Sequence, residues 1–330
     1  MGCAHIPVLL DEVVQSLIRP EYRLFVDATV GGGGHTYSIL TAHPNLRAYA
    51  IDLDDAALVA AKTRLEPFRD RVKLKRANFS ALKEILGDDG ISTVDAVLFD
   101  LGVSTFQLEG ERGFSFKDTH TLDMRMDQRQ EQTALQVVNS YTFDALKQII
   151  GEYGEERKAA QIARAIVTER RKAPVTSARE LADIVVKVVR RTGKIHPATK
   201  TFQAIRMEVN QELKNLEIGL QAAIDLVTPS GRVGVISFHS LEDRMVKRMF
   251  KATPELTVLT KKPIRPSRVE ITRNRRSRSA KLRIAEKKAD SRVPARGNLP
   301  SEHREREEEA PAALQREGAT RAPGKGKVNA

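Results

Sequence analysis

The sequence has one cysteine, Cys3, and no tryptophan among its 330 residues. A single cysteine excludes an intrachain disulfide and any metal site built from several cysteines. No apolar run approaches the roughly 18 residues that a membrane-spanning helix needs. The opening stretch, "MGCAHIPVLLDEVV", has no basic residue before its apolar part, so we do not expect a signal peptide. These absences favour a cytoplasmic protein with no membrane segment.

Positive charge is abundant but unevenly distributed. The formal net charge is +12, and residues 261–288, here called the basic segment, contain twelve Lys or Arg against Glu270 and Glu286. A basic balance favours polyanionic partners and says nothing about fold. The segment therefore has two interpretations, a phosphate-contacting arm or an ordinary solvated surface, and charge alone does not separate them.

Buried strands alternate with helices in the first hundred residues. Apolar runs predict strands at "LFVDATV", "RAYAIDLD", "VKLKRANF" and "VDAVLFDLG", and such alternation is typical of a parallel α/β sheet. From Ser104 to His196 only helical periodicity is present. Then "TFQAIRMEVNQELKNLEIGLQAAIDLV" predicts one long helix, "RVGVISF" and "LTVLTKKP" predict strands five and six, and "AKLRIAEK" predicts a seventh strand, antiparallel beside the sixth.

Two of these strands end on an aspartate and are followed by glycine. Strand one stops at Asp27 before Gly31–Gly34, and strand four stops at Asp100 before Gly102. Strand two ends at Asp52, where a carboxylate can accept hydrogen bonds from ribose hydroxyls. Ligands of open parallel sheets bind at the carboxyl ends of the strands. A tight turn would also use glycine, but the aspartates in register favour a nucleoside cofactor.

S-adenosylmethionine is the cofactor that this loop suits best. The glycines do not fit G-x-G-x-x-G, because the third position falls on Thr36 or Tyr37, and no P-loop pattern is present. The loop also has little basic character to hold a pyrophosphate. Acidic residues beside a glycine loop favour a cationic sulfonium.

Eleven stretches between Ala4 and Lys287 resemble, in order, the bacterial S-adenosylmethionine-dependent methyltransferases that modify the N4 amine of a cytidine in 16S rRNA. They are "HIPVLLDEVV", "VDATVGGGGHT", "IDLD", "NFSALKEIL", "VLFDLGVSTFQL", "RGFSF", "LDMRMD", "YGEERKAAQIARAI", "HPATKTFQAIRMEVNQEL", "ISFHSLEDRMVK" and "RSRSAKLRIAE". The resemblance implies a Rossmann-like class I methyltransferase core with an inserted all-helical domain.

We therefore predict four parts in the chain. Residues 1–104 form the first part of the cofactor-binding core, 105–200 an inserted helical domain for substrate recognition, and 201–288 the second part of the core. Residues 289–330, rich in Arg, Glu, Ala, Pro and Gly, form a disordered charged tail.

The resemblance also implies a set of cofactor-binding residues, with Phe79 covering the adenine: Gly33, Gly34, His35, Asp52, Phe79, Asp100 and Gln107. The chemistry adds a catalytic role for Asp100, since a strand-end carboxylate can accept a hydrogen bond from N4–H and favour positive charge there. Position and resemblance favour His239 as a second catalytic residue. The alternative for "SFHSLEDR" is purely structural, a helix capped by Ser240 with Asp243 completing a capping box.

Other polar residues keep two interpretations at this stage. Arg125 could contact RNA phosphate or a nearby acid, and His196, Lys200 and Arg206 could contact phosphate or form buried ion pairs. No His and carboxylate cluster shows ligand spacing, so we predict no metal.

The partner predicted is 16S rRNA within the small ribosomal subunit, with monomer and homodimer both open. The alternative functions are another Rossmann-fold amine methyltransferase acting on DNA or protein, and a non-catalytic RNA-binding protein. The loop "DLGVS" lacks the Pro-Pro-aromatic sequence common in amine methyltransferases, which disfavours the first. An intact cofactor crevice disfavours the second.

Overall fold

A seven-stranded sheet forms the centre of the fold. The computed structural model describes residues 7–104, 107–108, 110–190 and 195–289. The strand order is β3-β2-β1-β4-β5-β7-β6, in which the pairs β5–β7 and β7–β6 are antiparallel and the other pairs are parallel. The strands are β1 (Leu24–Asp27), β2 (Arg47–Asp52), β3 (Val72–Arg76), β4 (Val94–Asp100), β5 (Val227–Ser237), β6 (Leu256–Val258) and β7 (Lys281–Lys287). This Rossmann-like order confirms the α/β fold predicted from the sequence, including the antiparallel seventh strand.

Helices cover both faces of the sheet. Four helices lie before or between the first four strands: α1 (Leu10–Leu17), α2 (Gly34–Ala42), α3 (Asp55–Arg64) and α4 (Leu82–Asp88). One buried cluster packs α4 and later helices on the sheet through Leu82, Leu216 and Val246. A second cluster, on α1, α2 and β7, includes Leu17 and Ile39. Burial of such side chains contributes roughly 1.5–3 kcal/mol each.

Helices between strands four and five have a hydrophobic core of their own. They are α5 (Ala134–Ser140), α6 (Phe143–Glu152), α7 (Ala159–Arg170), α8 (Ala178–Val188) and α9 (Thr199–Asn210). Capping boxes start α5 at Thr133 and α8 at Ser177. The separate cluster agrees with an inserted helical unit, but the boundary predicted at residue 200 falls inside α9, whose Phe202 packs in this cluster. The division of the chain stays a prediction, and the predicted tail lies outside the described residues.

The single long helix predicted after residue 200 is wrong. It is two helices, α9 and α10 (Glu212–Leu226), separated by Gln211 with φ 48° and ψ 40°. The break turns the side chain of Asn210 onto the backbone of Met124 and Met126, at 2.8 Å in both cases. Strand five also begins earlier than predicted, at Val227, and the sixth is shorter. Two further α-helices among the described residues are α11 (Ser240–Ala252) and α12 (Arg268–Arg273).

Candidate functional site

Three aspartates end neighbouring parallel strands at one edge of the sheet. Asp27, Asp52 and Asp100 are the last residues of β1, β2 and β4, and β1 pairs with both other strands. The strand ends are those that the sequence predicted. Because parallel strands bring their carboxyl ends to one edge, the three side chains share the crevice where such sheets bind ligands.

Asp52 is held by backbone donors on both oxygens. Its Oδ2 accepts from the N–H of Gly31 at 2.8 Å and its Oδ1 from that of Asp54 at 2.9 Å. Burial raises the pKa of Asp52, and these two N–H groups oppose the increase. Each carboxylate oxygen has a second lone pair. The carboxylate is therefore oriented in advance and can still accept hydroxyl groups of a ligand.

The start of the glycine loop is open on its side-chain side. Gly31 has φ +50°, and a Cβ placed there would meet only the carbonyl oxygen of Thr29, at 3.9 Å. A ligand can thus approach the backbone closely at Gly31. Gly33 and Gly34 differ, because a Cβ at Gly33 would lie 3.2 Å from Leu65 and one at Gly34 would lie 2.5 Å from Pro7. Protein packing already requires these two glycines, and their contact with cofactor stays a prediction.

Asp27 closes the turn beneath the site. Its carboxylate accepts from the hydroxyl of Thr36 at 2.6 Å and from the N–H of Thr29 at 3.2 Å. Burial raises the pKa of Asp27 to about 6. The hydroxyl oxygen of Thr29 accepts from the N–H of Asp100 at 2.6 Å, which ties the ends of β1 and β4 together.

Asp100 presents a buried oxygen to the crevice. Its Oδ1 has no hydrogen-bond partner within the part of the chain that the structure describes. Its Oδ2 lies 3.6 Å from Nδ1 of His35. Burial, with the negative charges of Asp27 and Glu242 nearby, raises the pKa of Asp100 well above its usual range. A buried polar atom without a partner is costly unless a ligand completes it, so Oδ1 is positioned to receive one.

Phe79 and Gln107 have structural contacts of their own. The ring of Phe79 meets Phe99 edge to face with centroids 5.5 Å apart, and Gly219 leaves room for it. The Oε1 of Gln107 accepts from the N–H of Ser104 at 3.0 Å, and the N–H of Gln107 donates to the Ser104 hydroxyl at 3.2 Å. The predicted roles of Phe79 and Gln107 toward cofactor rest on the resemblance alone.

The carboxylates outnumber the cations at this edge. Among the described residues, Asp27, Asp52, Asp54 and Asp100 end or follow these strands, and Arg112 binds the carboxylate of Asp54. This pair joins residues far apart in sequence, and no local sequence pattern predicts it. An acidic crevice suits the sulfonium cation of S-adenosylmethionine and disfavours a pyrophosphate, so the residues present fit that cofactor.

His239, not Ser240, is the N-cap of α11, which corrects the structural alternative drawn from sequence. Its Nδ1 accepts from the N–H of Glu242 at 3.4 Å, and the carboxylate of Glu242 accepts from the backbone N–H of His239 at 3.2 Å. The capping box is therefore His239 with Glu242. Asp243 instead binds Lys281 and Arg283. Capping accounts for His239 without substrate, and its catalytic role stays a prediction.

Glu212, His239 and Glu242 place one ligand atom each within 4.8 Å of one another, a grouping that sequence spacing did not reveal. Nε2 of His239 lies 3.0 Å from Oε1 of Glu242, in an orientation that makes no hydrogen bond. Since Nδ1 accepts a hydrogen bond, the proton of the neutral ring is on Nε2, which opposes metal binding there. Arg206 also neutralises Glu212, at 2.7 Å. We interpret the group as a charge network, and the absence of a metal stays a prediction.

Intramolecular contacts account for the other candidate cations. Arg125 binds Asp123 at 2.7 Å and the carbonyl groups of Gln128 and Gln130. Arg206 forms the ion pair with Glu212 that was one of its two interpretations. The remaining two are also engaged: His196 stacks on Phe116 at 4.6 Å, and Lys200 donates to the carbonyl of Glu155.

The basic segment divides into exposed and structural cations. Eight Lys or Arg side chains between residues 261 and 278 are exposed: Lys261, Lys262, Arg265, Arg268, Arg273, Arg275, Arg276 and Arg278. Lys281 and Arg283 instead pair with Asp243, and Lys287 donates to the carbonyls of Ile224 and Asp225. Lys288, the last residue of the segment, is also exposed, and we expect phosphate contacts only from the exposed cations.

Comparison with known proteins places the chain among methyltransferases. The sequence profile of the MraW methylase family matches residues 2–288. The chain is 52% identical over 286 residues to ribosomal RNA small subunit methyltransferase H of Sulfurihydrogenibium sp., covering 85% of this chain and 98% of that protein. It is 50% identical over 289 residues to the protein of the same name from Persephonella marina, covering 86% and 99%. The corresponding protein of Trichormus variabilis is 49% identical over 291 residues, covering 87% and 93%.

Proposed function

The chain belongs to the MraW methylase family, and from that premise we propose that it transfers a methyl group from S-adenosylmethionine to the N4 amine of a cytidine in 16S rRNA. The rRNA substrate is supported by the names of relatives at about half identity over nearly their whole length. The observation that carries the chemistry is the buried Oδ1 of Asp100 at the end of β4, which finds no hydrogen-bond partner among the residues that the structure describes.

Residues of this chain would hold the cofactor along the glycine loop. The carboxylate of Asp52, already oriented by Gly31 and Asp54, accepts the ribose hydroxyls. The acidic edge favours the sulfonium, and Phe79 contacts the adenine. When bound, the cofactor supplies an activated methyl group. We keep Gly33, Gly34, His35 and Gln107 as predicted members of this site.

The chemical problem is the poor nucleophilicity of N4, whose lone pair is delocalised into the cytosine ring. The protein must align N4 with the methyl carbon, an orientation effect. Oδ1 of Asp100 accepts a hydrogen bond from N4–H, fixes the amine and stabilises the positive charge that develops on it. Because the target lies in structured RNA, the base leaves its stack to reach the crevice.

We place the RNA on the exposed cations of residues 261–278. Phosphate contacts supply most of the affinity of such complexes and make it depend on salt. The small ribosomal subunit as the assembled substrate, and a cytoplasmic location with it, belong to this proposal. Among the described residues, no helix has the length and apolarity to span a bilayer. The oligomeric state is left open between monomer and homodimer.

One experiment separates the candidate functions. The full chain is incubated with methyl-labelled S-adenosylmethionine and small ribosomal subunits, naked 16S rRNA, duplex DNA or a protein extract, and the labelled nucleoside is identified by mass spectrometry. We expect N4-methylcytidine in 16S rRNA. Label in DNA or protein would replace the proposal with another amine methyltransferase. RNA binding without transfer to any substrate would leave a binding protein.

A further inference from the structure

His35 is predicted to contact cofactor, but its ring lies between a backbone carbonyl and the proposed catalytic carboxylate. Nε2 of His35 is 2.9 Å from the carbonyl oxygen of Val8, and Nδ1 is 3.6 Å from Oδ2 of Asp100. The side chain is only 6% exposed. The ring is thus fixed in the interior with one nitrogen facing the carboxylate.

The carbonyl of Val8 determines where the imidazole proton lies. A carbonyl oxygen only accepts, so Nε2 must carry hydrogen while this bond exists. In the neutral ring, Nδ1 then turns a lone pair toward a carboxylate oxygen, which is repulsive. One proton placed on Nδ1 or on Oδ2 converts this contact into an attraction.

We infer that His35 and Asp100 form a pair at ion-pair distance that holds one titratable proton, on Nδ1 or on Oδ2, and act together as the acid–base group that serves the target amine. The inference rests on the proposed function and adds a catalytic partner to Asp100. The shared proton occupies the Oδ2 side of the carboxyl group. The opposite oxygen, Oδ1, is left to receive the proton of N4.

The electrostatic surroundings explain why a partner is needed. Asp27 on β1 and Glu242 on α11 both disfavour negative charge on Asp100, as does burial. Without an opposing cation these surroundings favour the neutral carboxyl group, which is a poor proton acceptor. The imidazolium form of His35, on α2, supplies that cation. The guanidinium of Arg64, on α3, lies next to the same loop, 3.1 Å from the position of a Cβ at Gly34.

The charges balance through the reaction. The N4–methyl bond forms as the sulfur–methyl bond breaks, and the sulfur leaves as a neutral thioether. N4 becomes positively charged and gives one proton to Oδ1 of Asp100. The pair goes from neutral, with one shared proton, to a single positive charge. The positive charge of the reactants therefore stays in the crevice, and product release and solvent return the pair to its starting state.

Two substitutions of His35 test the pair. In His35→Gln, the amide can still donate to Val8 but nothing titrates beside Asp100. In His35→Asn, a shorter amide can donate toward Asp100 without titrating. His43→Gln, at the other end of α2, is the matched control. Single-turnover methylation of small subunits is measured at saturating cofactor from pH 5.5 to 9, and cofactor affinity is measured by calorimetry.

We expect His35→Gln to lower the rate at pH 7 about 100-fold, the low end of an acid–base contribution. Its acidic limb should move to higher pH, because a carboxyl group without its cation ionises later. The rate is compared at saturating cofactor, so a change in cofactor affinity, which calorimetry measures separately, does not contribute to this loss. His35→Asn should show a smaller shift, and His43→Gln none.

Two results together would overturn the inference: the His35→Gln enzyme reaches the full rate at saturating cofactor, and its pH profile is that of wild type. His35 would then only bind cofactor. Failure of the wild-type protein to methylate rRNA would instead overturn the proposed function. A measurement on the wild-type protein tests the inference even where the variants do not fold. Nitrogen NMR of His35 should show Nε2 protonated from pH 6 to 8, and a neutral ring protonated on Nδ1 would also contradict the pair.

Discussion

The carboxylate edge and the basic segment handle charge in opposite ways. Asp27 is buried and Asp52 half-buried, and fixed N–H or O–H donors orient each carboxylate. The eight cations of residues 261–278 are exposed. Buried charges act through precise geometry and are screened little by salt, whereas exposed charges act collectively and are screened strongly. Single substitutions should therefore damage the first region, and only grouped substitutions the second.

The two regions also touch. Oε1 of Glu270, on α12 within the basic segment, accepts from the N–H of Leu9 at 2.9 Å. Leu9 is the N-cap of α1 and has φ 54°. Its neighbour Val8 binds His35. The segment proposed to hold RNA is thus anchored one residue from the contact that orients the catalytic pair.

The largest effect is expected from Asp100→Asn. The change keeps size and one acceptor oxygen but removes the negative charge. Turnover at saturating cofactor should fall about 10²–10⁴-fold, while cofactor affinity changes far less. Single-turnover methyl transfer to small subunits measures this. Asp95→Asn, at the other end of β4, controls for the fold, since Asp95 binds the N–H groups of Arg23 and Leu24.

A single-turnover rate within about threefold of wild type would remove Asp100 from catalysis, because threefold is well under the 1.4 kcal/mol of one decade. A parallel fall of affinity and rate, with the rate recovered at saturating cofactor, would make it a binding residue only.

A smaller effect is expected from Asp52→Ala. Two ribose hydroxyls lose a charged acceptor, which costs roughly 1.5–3 kcal/mol, or about ten- to hundredfold in affinity. Calorimetry with S-adenosylmethionine measures it. Asp55→Ala, three residues on and paired with Arg76 on the surface, should bind normally. Unchanged affinity in folded Asp52→Ala would place the ribose elsewhere.

Local patterns predicted the parts of this site that are local. Apolar runs ending at Asp27, Asp52 and Asp100 located three strand ends, because strand period and turn chemistry are written in neighbouring residues. The capping of α11 was within reach too. "HSLE" places Glu242 three residues after His239, but His is an uncommon N-cap, so Ser240 was preferred.

Contacts between residues distant in sequence could not be predicted from local sequence patterns. The helix break at Gln211 contains neither Gly nor Pro, and its reason, the contact of Asn210 with Met124, lies 86 residues away. Glu155, with φ 47°, reaches α11 to bind the Ser240 hydroxyl and, at 2.8 Å, Arg244. The pairing of Arg112 with Asp54 is equally distant in sequence. Tertiary packing decides these, and periodicity does not report it.

Charge reversal of Arg275, Arg276 and Arg278 to Glu tests the exposed region. RNA affinity at moderate salt should fall roughly tenfold or more, and the slope of log affinity against log salt should decrease by about two to three, since each lost phosphate contact removes 0.7–0.9. Cofactor affinity should be unchanged. Filter binding across a salt series measures the RNA affinity and its salt slope. A wild-type slope would show that this surface is merely solvated.

The smallest effect is expected from removing residues 289–330. This truncation separates the effect of net charge from the effect of the number of cations. That stretch has eight Lys or Arg, as many as the exposed set in residues 261–278, but seven Asp or Glu accompany them, against Glu270 alone in the other. Nearly balanced charge attracts little polyanion at physiological screening. Truncation after Lys288 should therefore change RNA affinity by less than about twofold and leave the salt slope as in wild type. The same filter-binding series measures it beside the triple reversal. If truncation instead flattened the salt slope as much as the triple charge reversal does, the number of cations, rather than the net charge, would govern RNA binding. Residues 289–330 would then count with the exposed cations of residues 261–278.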